Sequence, residues 1–227
     1  MKRIWVSGVL LVLALAASTP AFSQSRPMVD VGIPKVDFAA MPTDKPPPGF
    51  LLALTGDGLP VNWRVVPDAS VQGGKVVAEI SQDKSEYRFP LCILDGFSVR
   101  DIEMQVHFKP VAGKSDQAGG VVLRYQDSAN YYVVRANALE NNIRFDRFVR
   151  GNRTNLIERD VQVKAGRWHS LKIRAVANHF EVSYDGKLLF KLDDSTFGKP
   201  GRVGFWTKSD SVTYFADLQL TPAIGPK

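Results

Sequence analysis

From Val61 to Leu220 the sequence is a succession of short runs in which apolar and polar residues alternate, each closed by glycine, asparagine, aspartate or proline. A period of two belongs to a strand with one dry face and one wet face, and no stretch sustains a helical period. About a dozen such runs, separated by turn signals, restrict the chain to an all-β sandwich or barrel. One long run sets Ile102, Met104, Val106 and Phe108 on one face and Asp101, Glu103, Gln105 and His107 on the other. Asp185-Gly186, between alternating runs, signals a hairpin. Pro90 interrupts the run around Cys92, which predicts an edge strand or a bend there.

The clearest pair of runs is AGGVVLRYQDSANYYVVRANAL, Ala118 to Leu139. Asp127-Ser128-Ala129-Asn130 supplies the turn, because Asp and Asn side chains bond their own backbone. A four-residue loop sets Tyr125 opposite Tyr132, Leu123 opposite Val134 and Val121 opposite Ala136, an apolar face for the core. The other face then carries Tyr131 with Gln126, Arg124 with Val133, and Arg135 with Val122, and Asn137 extends the row. That mixed face is either an ordinary solvated surface or a polar ligand face. Trp206 alternates with Val203 and Phe205 in RVGFWT and so faces away from them, as a stacking platform for a sugar ring or as a filler under a loop. Trp63 and Trp168 read as core.

The chain begins with an export signal. Lys2 and Arg3 precede an apolar run from Ile4 to Ala17, and Ala21-Phe22-Ser23 offers small residues for cleavage. Residues 1–23 are therefore read as a signal peptide, with the mature chain starting at Gln24 and the protein secreted or periplasmic. The apolar run is short for a membrane span, so no stable membrane insertion is expected. Residues 24–49 form a proline-rich linker, strapped or free. Residues 50–220 form the β-domain, and 221–227 a tail. Cleavage leaves about 200 residues, a size that suits one domain.

The net charge of +6 is spread along the chain, which argues against a nucleic-acid partner. Cys92 is alone, has no internal disulfide partner, and reads as a small buried hydrophobe. His107, His169 and His179 lack metal-ligand spacing and no acidic loop has a calcium pattern, so neither a metal nor another cofactor is expected. The oligomeric state is open.

Several segments together resemble the concanavalin A-like lectins and glucanases. They are AGGVVLRYQDSANYYVVRANALENN, GRWHSLKIRA, FEVSYDGKLLFKLDD and GRVGFWTKSDSVTYFADLQL. Within that superfamily they resemble the laminin-G-like and 3-keto-disaccharide hydrolase branches. The resemblance implies a jelly-roll sandwich of two curved antiparallel sheets, with ligand held on the concave sheet. Arg124 matches an arginine of the hydrolase family's central strand. Ala118-Gly119-Gly120 stands where that family has Asn-Ser-Gly, and His107 where it often has glutamate. Asp101-Ile102-Glu103-Met104-Gln105 lacks the last acid of the family 16 glycoside hydrolases.

Three functions follow as expectations, the last of them a cell-envelope interaction domain with no small ligand. The first is an exported lectin-like domain that holds a carbohydrate on its concave sheet through Arg124, Tyr131, Arg135, Asn137, Trp206 and Gln105. The alternative is a glycoside hydrolase of the 3-keto-disaccharide type, which needs an acid and a base. Glu103 and His107 fill those roles if their face lies beside the hairpin arginines.

Overall fold

The computed structural model describes Met1 and residues 32–223, so the rest of the predicted signal peptide, the start of the linker and the end of the tail lie outside the described residues. In chain order the strands are β1 (Phe50–Gly56), β2 (Trp63–Pro67), β3 (Lys75–Glu79), β4 (Arg88–Leu94) and β5 (Ile102–Ala112). Next come β6 (Ala118–Asp127), β7 (Asn130–Asn137), β8 (Asn142–Val149), β9 (Asn152–Asp160) and β10 (His169–Val176). The last are β11 (His179–Tyr184), β12 (Lys187–Asp193), β13 (Arg202–Thr207) and β14 (Val212–Pro222). They form two seven-stranded antiparallel sheets, ordered β1-β4-β13-β6-β7-β8-β9 and β12-β11-β10-β5-β14-β3-β2. This is the expected all-β jelly-roll sandwich. No helix among the described residues is long and apolar enough to cross a membrane.

Alternation sets the main core. Met104, Val106 and Phe108 of β5, Leu171 and Ile173 of β10, and Phe180 and Val182 of β11 point inward against Val121, Leu123, Val134 and Phe205 of the first sheet. Each such side chain contributes about 1.5–3 kcal/mol through burial. The described part of the proline-rich segment is strapped onto this body. Asp44 N–H and Lys45 C=O bond Val65 of β2, and Phe38 enters the core. The expected tail starts later, because Thr221 and Pro222 still pair with β5.

Three expectations change. Pro90 does not mark an edge: β4 lies between β1 and β13. The proline is tolerated because β4 meets β13 only at Leu91, Cys92 and Ile93, so no ladder bond is required of it on that side. Trp168 is not core. It stands partly exposed, its indole N–H donates to Ser70 Oγ at 2.9 Å, and the Lys109 ammonium lies 4.7 Å from its ring. The central hairpin also carries a bulge. Asp127 pairs with Asn130 as the turn requires, but from Leu123 back the register has moved, and Leu123 faces Tyr132. Arg124, with φ +49°, absorbs the shift. A two-residue slip preserves the faces of Val121 to Leu123, but the bulge exchanges Arg124 and Tyr125 between faces.

The first sheet also rolls over its outward face. Phe89 at the start of β4 and Phe148 at the end of β8 stand four strands apart in the sheet order, yet their ring centroids are 5.1 Å apart. Phe89 also stacks on Trp206 at 5.5 Å, and Phe148 on Tyr131 at 4.6 Å. The Thr55 hydroxyl lies 2.9 Å from Tyr131 Oη, and the Tyr87 hydroxyl donates to the Gly151 carbonyl at 2.7 Å. Contacts between distant strands on one face require that face to be concave. The result is a second aromatic core, separate from the one between the sheets.

Candidate functional site

Strand registers place the residues of the concave face in rows. One row runs from Trp206 through Gly120, Arg135 and Arg144 to Glu158. Gly120 is needed there because a Cβ would lie 2.5 Å from the Val134 carbonyl oxygen. The next row holds Val122, Val133, Asp146 and Asn155. Trp206, Tyr131, Arg135 and Asn137 thus share the concave side, with different duties. Trp206 is fully buried against Phe89 and Tyr131 is fully buried against Phe148, so neither offers an open ring face. Arg135 donates to Asn142 Oδ1 and Glu140 Oε2, both at 2.7 Å. Burial alone would raise the Glu140 carboxyl, but the Arg135 charge and hydrogen bond outweigh it and hold it below its ordinary value. Asn137 caps a turn: its Nδ2 donates to Asp116 Oδ1 at 2.7 Å and its Oδ1 accepts from Leu139 N–H.

The other expected residues are elsewhere. Arg124 has crossed to the inner side, where its guanidinium donates to the carbonyls of Arg100, Ala177 and Phe197 and lies over the Phe180 ring. Burial lowers its pKa. Glu103, Gln105 and His107 do not line the face of Arg135. Strand β5 pairs with β10 and β14 in the second sheet, not with β6, and its polar side points out of the far side of the sandwich. There Glu103 ion-pairs with Lys172 at 2.7 Å, and His107 Nδ1 lies 3.0 Å from Asp217 Oδ2, with both partners well exposed. Glu103 and Gln105 border a shallow groove of about 430 Å³ with Lys172, Ser183 and Leu188.

Two features of the concave side were given no functional role from sequence. The first is a cleft of about 290 Å³ at the mouth of the roll, lined by Glu86, Tyr87, Phe89, Asn152, Arg153 and Lys208. Tyr87 is 44% exposed and stands edge-on to Phe89 at 4.9 Å. The Arg153 guanidinium lies 5.7 Å from the Phe89 ring. The second is Asp146, fully buried on β8. Neither carboxylate oxygen has a hydrogen-bond partner, and Arg153 Nε, at 3.5 Å, is its ion-pair partner. Burial pushes the Asp146 carboxyl up, opposed by Arg153, Arg135 and Arg144 and reinforced by Glu158. Parity within IRFDRFVR would have found Asp146, since it alternates with Arg144 and Phe148. Tyr87 sits in a turn and follows no period.

With this geometry in place, the sequence profile of the 3-keto-alpha-glucoside-1,2-lyase-like domain matches residues 54–221. The chain belongs to that family. A search of curated proteins finds no match. Among solved structures, carbohydrate-binding module CBM66 from Bacillus subtilis aligns with a TM-score of 0.58 and 19% identity, over 74% of this chain and 94% of that one. The cellulose-induced protein Cip1 aligns at 0.57 and 8% identity, over 78% and 94%. A Bacillus subtilis protein with a galectin-like fold aligns at 0.53 and 9% identity, over 76% and 90%. At these identities the likeness is one of fold. The lyase-like domain spans every strand from β2 to β13 and both features of the concave side, the cleft and Asp146.

Proposed function

We propose that this domain binds a glycoside at the mouth of the rolled sheet, with the sugar ring against Tyr87 and its hydroxyls toward Arg153, Asn152, Lys208 and Glu86. The observation that carries the reading is the exposed Tyr87 ring, standing beside two cations in a cleft that opens onto the concave face. Sugars combine apolar C–H faces with rims of hydroxyls, and an aromatic surface next to fixed donor forks matches both. The family description supports 3-keto-α-glucosides as the class of ligand. The fold shared with a carbohydrate-binding module supports a sugar-holding face. Tyr87 here takes the part that sequence alone gave to Trp206.

Tyr87→Ala is expected to weaken binding of 3-keto-α-glucosides by about 1–3 kcal/mol, the scale of a lost aromatic anchor. Isothermal titration of the variant against the parent measures it. Unchanged affinity would place the ligand elsewhere. Export completes the proposal: the purified protein should begin close to Gln24 by intact-mass spectrometry, and a soluble form that retains Met1 would oppose it.

A further inference from the structure

We propose that the free edge of β1 pairs with the same edge of a second copy of this chain, antiparallel, across a two-fold axis at Ala53. Strand β1 ends the first sheet, and among the described residues only β4 pairs with it. An unpaired edge presents a row of N–H and C=O groups that templates another strand, and proteins that stay monomeric block such edges with charge, proline or a covering segment. Of the four sheet edges among the described residues, three are blocked in these ways. Strand β9 carries Arg153, Glu158, Arg159 and Asp160, and β12 carries Lys187, Lys191 and Asp193. Strand β2 ends in Pro67 and is covered by the strap, which bonds Val65 through Asp44 and Lys45. Strand β1 reads FLLALTG, with no charge and no proline.

The core also runs out at this edge. By register, Phe50, Leu52 and Leu54 stand opposite Leu94, Cys92 and Pro90 of β4. Those three β4 residues are buried, whereas Phe50, Leu52 and Leu54 are only half-buried. On the concave side Leu51 is 41% exposed. An uncharged edge that leaves apolar side chains open on both faces is suited to an added strand. The chain's own strap is committed elsewhere, since its bonds run to Val65 and to the Lys75 ammonium, both in the second sheet.

The strand is complementary to itself. An antiparallel pair has local two-fold axes perpendicular to the sheet, so each residue meets one of the same parity and both faces are preserved. An axis at Ala53 uses the whole strand. Leu52 then meets Leu54 of the second copy and extends the dry layer between the sheets. Leu51 meets Thr55 and extends the concave face, and Phe50 meets Gly56. No like charges are brought together at any pair. The same residues serve on both sides, so the contact closes at two copies and does not run on as a fibre. Both concave faces then open on the same side of one continuous sheet.

Sedimentation of the purified protein over a range of concentrations tests this. The parent should approach the mass of two chains at high concentration and dissociate on dilution. Leu51→Lys places a charge at two symmetric points of the contact and should shift a folded protein to the monomer mass. Leu188→Lys, on the already charged β12 edge, should leave the dimer intact. Ala53→Cys should cross-link two chains under mild oxidation, because paired Cα atoms at the axis lie about 4.5–5.5 Å apart, within the span of a disulfide. The only natural cysteine, Cys92, is buried and does not compete. A parent that stays monomeric overturns the proposal, and slow amide exchange along all of β1 would then assign the edge to the chain's own leading residues. A dimer as tight in Leu51→Lys as in the parent, or one in which Ala53→Cys cross-links no faster than Leu188→Cys, uses another surface and overturns it as well.

Discussion

Arg124→Ala is expected to cost about 3–5 kcal/mol of folding stability while leaving the cleft residues in place. The guanidinium is 2% exposed and donates to three carbonyls: Phe197 at 2.8 Å, Arg100 at 3.4 Å, and Ala177. Those carbonyls belong to three separate segments, one before β5, one between β10 and β11, and one before β13. Its charge lies 3.9 Å from Asp101, and its plane covers the Phe180 ring at 4.9 Å. Truncation leaves part-buried carbonyls unpaired, at up to about 1–3 kcal/mol each before relaxation and access of water. Arg124→Lys should recover less than half of the loss, because one ammonium cannot reproduce a planar fork that reaches three acceptors. Urea unfolding of the parent and both variants measures this. A loss below about 1 kcal/mol for the alanine variant would show that the clamp is dispensable.

Arg88→Met is expected to cost a similar 3–5 kcal/mol, for a different reason. Arg88 and Glu79 are both fully buried, with Nη2 and Oε1 3.0 Å apart. Removing one partner strands the other charge in the interior. In many proteins, replacing both partners with apolar residues repairs the damage. Here it should not, because Arg88 also donates to the carbonyls of Leu59, Pro60 and Ser209, and Glu79 Oε2 accepts the Asn62 N–H at 2.7 Å. The double variant Arg88→Met, Glu79→Leu should lose less than the sum of the single losses and still fall well short of the parent. A double variant as stable as the parent would mean that the loop carbonyls find water when the arginine leaves.

The layers of the fold were legible because alternation is local and each strand reports its own faces. Pairing between strands distant in sequence was not. Nothing in the composition of β5 states that its neighbours are β10 and β14, and the error placed Glu103 and His107 on the wrong side of the molecule. Arg124 misled for a subtler reason. Positive φ is expected of glycine or asparagine, and an arginine in that region carries no warning in the sequence. The parity of Arg135, Tyr131 and Trp206 was readable, but their burial was not. It depends on how far the sheet curls, which is set by contacts such as Phe89 with Phe148 between strands far apart.

The short ladder between β4 and β13 gives that curl a mechanical meaning. Strands β1 and β4 hold each other along seven residue pairs, whereas β4 joins the rest of the sheet at three. The upper end of the β1–β4 pair, from Thr55 to Phe89, is therefore held less by ladder bonds than by side chains, by the buried Arg88 clamp and by the Ser209 N–H that donates to the Arg88 carbonyl. Cys92 and Leu94 anchor its lower part in the main core. It is closed by the Tyr87 hydroxyl, the Thr55 hydroxyl and the interleaved rings of Phe89 and Phe148. Fluctuations that expose the concave side would then proceed by cooperative local opening at this corner, slower than side-chain rotation and far easier than global unfolding. A sugar lodged against Tyr87 would act as a wedge or a latch on that opening, according to whether it replaces or reinforces the bond to Gly151.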